Sequence, residues 1–126
     1  MHVDYWPNVG ANALTFMTPL EDYPTNAGFA LLYRASNETQ VRRYRYQKGY
    51  GIVFGSRFTH STEPGSSAQP QVYLCMQFGS DRQRHWPNIL ETINYQSRFV
   101  MAADGVMRPT ALGIACGEEK ACHRRG

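Results

Sequence analysis

Gly51-Ile52-Val53-Phe54-Gly55-Ser56-Arg57-Phe58-Thr59-His60 sets two short apolar runs on either side of a small-residue turn. Ile52 to Phe54 reads as a buried strand closed by Gly55-Ser56, and Phe58 to Ser61 reads as the next strand. Working outward, Glu63 to Pro70 is a Pro/Gly/Ser loop, and Gln71 to Phe78 is the clearest strand of the chain. On the other side, Val41 to Gln47 sets Arg43 and Arg45 against Arg42, Tyr44 and Tyr46, a strand with one wet face. Gly28 to Tyr33 is nearly all apolar and is expected to be buried on both faces. Asn12 to Thr18 is a further strand, ended by Pro19. A first short strand carries His2 and Asp4 before Pro7, Asn8 and Gly10 break it. Short strands separated by turns predict an all-β sandwich or barrel.

The texture changes beyond Asp81. Ile89, Ile93, Gln96 and Val100 fit one amphipathic helix over Ile89 to Phe99, with Asn88 placed to cap it. After Asp104-Gly105 the periodicity fades. The expected layout is a β core over 1–82, a helical extension over 83–112 and a flexible tail over 113–126.

Composition narrows the class. The chain has 126 residues, of which 42% are hydrophobic and 18% charged, which fits one ordered domain with one core. No apolar run is long enough to span a membrane, and no basic-then-apolar leader precedes residue 20, so a cytoplasmic location is the default expectation. Three cysteines, an odd number, argue against a disulfide framework. Cys75 lies in an apolar run and reads as a small buried hydrophobe. Cys116, Cys122 and His123 match no common zinc spacing. The net charge is +3, with Arg42, Arg43, Arg45 and Lys48 close together. That cluster reads as a solvated strand face, so nucleic acid is not the expected partner.

The chemistry sits in His2-Val3-Asp4 and His60. Two residues apart on a strand, His2 and Asp4 point the same way. A histidine from a neighbouring strand would complete two imidazoles and one carboxylate on one side of a metal ion. That ligand set, with open positions opposite, belongs to non-haem Fe(II) oxygenases.

His2-Val3-Asp4, the segment Gly51 to His60 and the strand Tyr73 to Phe78 together resemble the core of the 2-oxoglutarate/Fe(II)-dependent oxygenase superfamily. The resemblance covers residues 2 to about 80. It implies a double-stranded β-helix, the jelly-roll relative of the cupins. It further implies His2, Asp4 and His60 as iron ligands, Fe(II) as cofactor and 2-oxoglutarate as co-substrate in a hydroxylase-type reaction. Family members place an arginine or lysine soon after the distal histidine to hold the far carboxylate of 2-oxoglutarate. Here Gln71 holds that position and Tyr73 the supporting one. Arg34, Arg43, Arg45 and Arg57 are the basic groups that could reach the site from elsewhere. Tyr5, Trp6, Asn12, Tyr33 and Arg57 are the residues expected near its mouth. The substrate is not readable from the residues.

Three further expectations follow. With Gln71 and Tyr73 inward, Cys75 and Gln77 also face in, and Val72, Leu74, Met76 and Phe78 face out. Family members carry another strand and helices before His-x-Asp, so the barrel is expected to be incomplete at its N-terminus, with a homo-oligomer as one way to complete it. Gln71 also keeps alive a cupin-like metal protein, or an inactive remnant, that does not use 2-oxoglutarate.

Overall fold

A computed structural model describes residues 1–24, 27–35, 37–102 and 104–117. The fold is mostly β, with three small antiparallel sheets and few helices. The described residues form eight strands: β1 (Ala13–Pro19), β2 (Leu31–Arg34), β3 (Arg42–Tyr44), β4 (Ile52–Gly55), β5 (Thr59–Thr62), β6 (Tyr73–Gly79), β7 (Phe99–Met101) and β8 (Met107–Pro109). The helices are α1 (Trp86–Gln96) and α2 (Ala111–Gly117), with 3-10 turns over Pro7–Asn12 and Gln83–His85.

The first sheet has the order β4-β1-β6 and the second β3-β2-β5. The chain leaves one sheet for the other between β1 and β2, and again at β3–β4, β4–β5 and β5–β6. Side chains join the two sheets: the rings of Phe54 on β4 and His60 on β5 lie 4.9 Å apart.

Register fixes what each face carries. Phe16 pairs with Val53 and with Met76, and Leu14 with Phe78. These side chains share the outer face of the first sheet, where Leu14, Val53, Leu74, Met76 and Phe78 are all exposed. The opposite face carries Thr15, Met17, Phe54, Tyr73, Cys75 and Gln77, turned toward the second sheet. A period of two makes this partition unavoidable once Tyr73 faces in. The expected inward and outward sets of β6 are therefore both found. Cys75 is not the buried hydrophobe that its apolar neighbours imply. It is exposed.

The tightest core lies at one end of the sandwich. Tyr5, Val9 and Ala13 pack against Ile89 and Ile93 of α1, with Trp86 and Val100 around them. This cluster joins residues from both sides of position 82. Ile89, Thr92 and Ile93 are buried at helical spacing, so one stripe of α1 faces the cluster. The helix begins at Trp86 with Pro87 in its first turn, where a missing N–H costs nothing. Asn88 is thus inside the first turn and is not the cap; it accepts a hydrogen bond from Asn8 at 3.0 Å instead. The helix ends earlier than the periodicity predicts, at Gln96, because Ser97 turns extended and β7 follows.

Two parts of the C-terminal region differ from the sequence reading. β7 and β8 form a hairpin around Asp104-Gly105, with Gly105 at φ +76°. Residues 113–117 belong to α2, while 118–126, including Cys122 and His123, lie outside the described residues. Among the described residues, no helix is long and apolar enough to cross a membrane.

Candidate metal centre

His60 sits in the middle of its surroundings by construction. On β5 it pairs with Tyr33 of β2 on one side. On the other side it forms an isolated antiparallel bridge with His2. His2 N–H donates to the His60 carbonyl at 2.8 Å and His60 N–H to the His2 carbonyl at 2.9 Å. Residues that exchange both bonds stand opposite one another with side chains on the same face. The two imidazoles accordingly lie 4.6 Å apart, centroid to centroid. The expected first strand is reduced to this one bridge, and the chain bends at Asp4.

The bend at Asp4 is anchored from behind. Tyr5 is buried and its hydroxyl shares a 2.7 Å hydrogen bond with the Thr15 hydroxyl on β1. Gln96, at the end of α1, donates from its side-chain amide to the Asp4 carbonyl. Held there, Asp4 presents Oδ1 at 3.4 Å from His2 Nε2 and 3.4 Å from His60 Nε2. One donor atom from each of the three residues lies within 4.8 Å of the others. Among the described residues no other group of three His, Cys, Asp or Glu side chains converges in this way.

The chemistry of this donor set fits a divalent metal. The His60 Nδ1 lies 3.1 Å from the Phe58 carbonyl, which can only accept, so Nδ1 carries the proton. The lone pair of a neutral His60 is then on Nε2, the atom that faces Asp4. Two acceptor atoms facing each other repel unless a cation is shared between them. Metal-binding histidines use the same device, donating the far N–H to a carbonyl and so fixing tautomer and ring angle. Phe54 and Phe58 flank the ring at 4.9 and 5.4 Å. His60 is buried, whereas His2 is open to solvent on its outer side.

The residues expected to hold a co-substrate lie at a separate place. Gln71 and Tyr73 line a cavity of about 460 Å³ together with Arg43, Arg45 and Tyr46; none of the trio lines it. Tyr73 and Cys75 are successive inward residues, so about 7 Å separates them along the strand. Cys75 in turn feels Asp4. Its thiol is raised above the usual range, first by desolvation and then by the Asp4 charge. Tyr46 is raised too, chiefly by burial, with Tyr73, Tyr44, Cys75 and Asp4 adding to the effect.

Within the cavity, the Tyr73 hydroxyl donates to Gln71 Oε1 at 3.4 Å, and Gln71 Nε2 is buried without a protein partner. Such a donor costs about 1–3 kcal/mol until something accepts from it. Arg43 and Arg45 are thus the basic groups that join Gln71, while Arg34 and Arg57 do not line the cavity. Arg43 also bonds Glu63 at 2.5 Å and lowers that carboxyl below its usual range. The wider basic cluster is similarly matched: Arg42 meets Glu38 at 2.6 Å and Lys48 meets Glu21 at 3.0 Å. A strand whose cations are paired is a poor polyanion site.

None of the residues expected at the mouth lines the cavity. Tyr5 is core, Asn12 donates to the Val9 carbonyl, and Tyr33 stacks on Phe58 at 5.3 Å. Among the lining residues to which the sequence reading gave no site role are Tyr23, Phe29, Lys48 and Tyr50. Their one local signal is the aromatic density of Tyr44, Tyr46 and Tyr50 around a Lys-Gly turn. Comparison with protein-family profiles, with curated proteins and with solved structures finds no match.

Proposed function

We propose that this chain is an Fe(II)- and 2-oxoglutarate-dependent oxygenase of the hydroxylase type, built on a jelly-roll sandwich. One observation carries the reading: two imidazole nitrogens and one carboxylate oxygen lie within 4.8 Å of one another, with His60 Nε2 freed for ligation. When bound, ferrous iron would supply oxygen activation: one oxygen atom ends in succinate as 2-oxoglutarate loses CO2, the other in the hydroxylated substrate. The protein's part is to orient the three ligands and hold the co-substrate. Gln71 and Tyr73 line the cavity where its distal carboxylate would lie, and Arg43 and Arg45 line the same cavity. Two three-stranded antiparallel sheets exchanging strands four times support the jelly-roll part of the proposal.

A second reading is a cupin-like metal protein that takes no 2-oxoglutarate. It is favoured by Gln71, which is neutral, and by the engagement of Arg43 with Glu63. Anaerobic Fe(II) titration followed by 2-oxoglutarate separates the two. The oxygenase reading expects one equivalent of iron, a new charge-transfer band on adding 2-oxoglutarate, and slow succinate release in air. Iron binding with neither band nor succinate removes the oxygenase and leaves the metal protein. Absence of iron binding removes both.

A further inference from the structure

We propose that the cavity lined by Gln71 and Tyr73 is the substrate site and that it selects a small molecule bearing a flat, uncharged aromatic ring. Its role as substrate site rests on the oxygenase reading; the preference for a ring rests on the cavity alone.

The size comes first. About 460 Å³ is in the range of drug-sized ligand sites, more than a five-carbon diacid requires. Five aromatic side chains are among its lining: Tyr23, Phe29, Tyr46, Tyr50 and Tyr73.

The second point is what those tyrosines offer. Three of their hydroxyls are turned to protein partners. Tyr23 donates to the Val72 carbonyl at 2.8 Å, Tyr46 to Met17 Sδ at 3.0 Å, and Tyr73 to Gln71. With those hydroxyls engaged, the rings are what the wall presents. They are tilted against one another, Tyr46–Tyr73 at 4.8 Å and 59°, Tyr23–Tyr73 at 5.7 Å and 48°. Tilted rings expose both faces and edges, the surface to which another ring is complementary.

Charge decides against the alternatives. Arg43 and Lys48 meet Glu63 and Glu21, the Lys48 backbone N–H bonds Asp22 at 2.7 Å, and Arg45 acts on Glu63 as well. A polyanion would have to displace these carboxylates. A neutral ring leaves them in place.

Backbone geometry adds a fourth point. Phe29, which lines the cavity, has φ +62°. A bulky residue in that region costs about 1–3 kcal/mol, and such strain concentrates at ligand clamps. Two glycines hold it there. A Cβ on Gly28 would meet the Pro64 carbonyl at 2.3 Å, and one on Gly65 the Ala27 carbonyl at 2.3 Å.

The test is ligand-observed NMR titration of the full chain, with and without Fe(II), using matched amides. Benzamide is expected to bind about 3- to 10-fold tighter than cyclohexanecarboxamide, the increment of one aromatic contact. Benzoate should gain nothing over benzamide. Tyr46→Leu and Tyr50→Ala should each weaken benzamide by a similar factor; Tyr50 is exposed, so its variant folds. Equal binding of the two amides, or displacement of benzamide by a ten-residue oligothymidylate, overturns the proposal. Ring preference without iron binding leaves the ring site standing and removes the metal reading, and with it the role as substrate site. Iron binding without ring preference does the reverse.

Discussion

The two histidines of the candidate centre are the same side chain in different mountings. The His60 side chain is 9% exposed, on a strand paired with β2, its Nδ1 fixed on a carbonyl and its ring in contact with two phenylalanines. The His2 side chain is 64% exposed and is positioned by a single bridge. Asp4 stands between these extremes, through the buried Tyr5 that follows it. The β5 wall is therefore made by folding itself, whereas the N-terminal segment must be ordered against the wall. Ordering a residue costs about 1–2 kcal/mol, and that cost is subtracted from metal affinity.

The sharpest way to break the comparison is His60→Ala. It removes a proposed ligand and opens a hole beside the stacked Phe54 and Phe58. Calorimetry should find iron affinity down about 100-fold or more, and chemical denaturation a loss of about 2–4 kcal/mol. Next is Thr15→Val, which leaves the Tyr5 hydroxyl buried without its partner. Stability should fall by about 1–3 kcal/mol, with weaker iron binding because Asp4 loses its anchor. Unchanged iron affinity in that variant would mean that the N-terminal segment is held by something other than Tyr5.

His2→Ala is expected to cost about 10-fold in iron affinity while changing stability by no more than about 0.5 kcal/mol. If it destabilises as much as His60→Ala, the two mountings are not different. The smallest effect concerns acid. Arg43 lowers the Glu63 carboxyl, so the stabilisation is full above the ordinary glutamate value, about 4.3, and is lost as pH falls through the lowered one. Glu63→Gln should flatten that part of the acid unfolding curve and leave the neutral region and the metal centre untouched.

The same contrast explains what could be read in advance. Strands β1, β4, β5 and β6 declare themselves because alternation and turn residues are local signals. The trio is legible for a similar reason: His2 and His60 need only a shared face and a bridge. Asn88 fails as a cap because Pro87 in the first turn outweighs an Asn one residue later. The β7–β8 hairpin had a local signal in Asp104-Gly105, a turn pair that fixes strand register. Its strands are only three residues long, too short for alternation to register. Cys75 and the tyrosine wall were not legible, since an open cavity between two sheets is a product of tertiary spacing. Nothing in the run Val72 to Met76 distinguishes a strand against core from one against solvent.

The interlocked glycines at 28 and 65 have a practical consequence for anyone recombining or evolving this scaffold. Saturating either site should give libraries dominated by collapsed clones, because any side chain there collides with the opposing main chain. At the rim, a Cβ on Gly49 finds no atom within 4 Å, but its φ of +85° favours glycine, so the open positions there are Lys48 and Tyr50. Diversity intended to retarget the protein belongs at that rim, and the opposite edge should be left as it is.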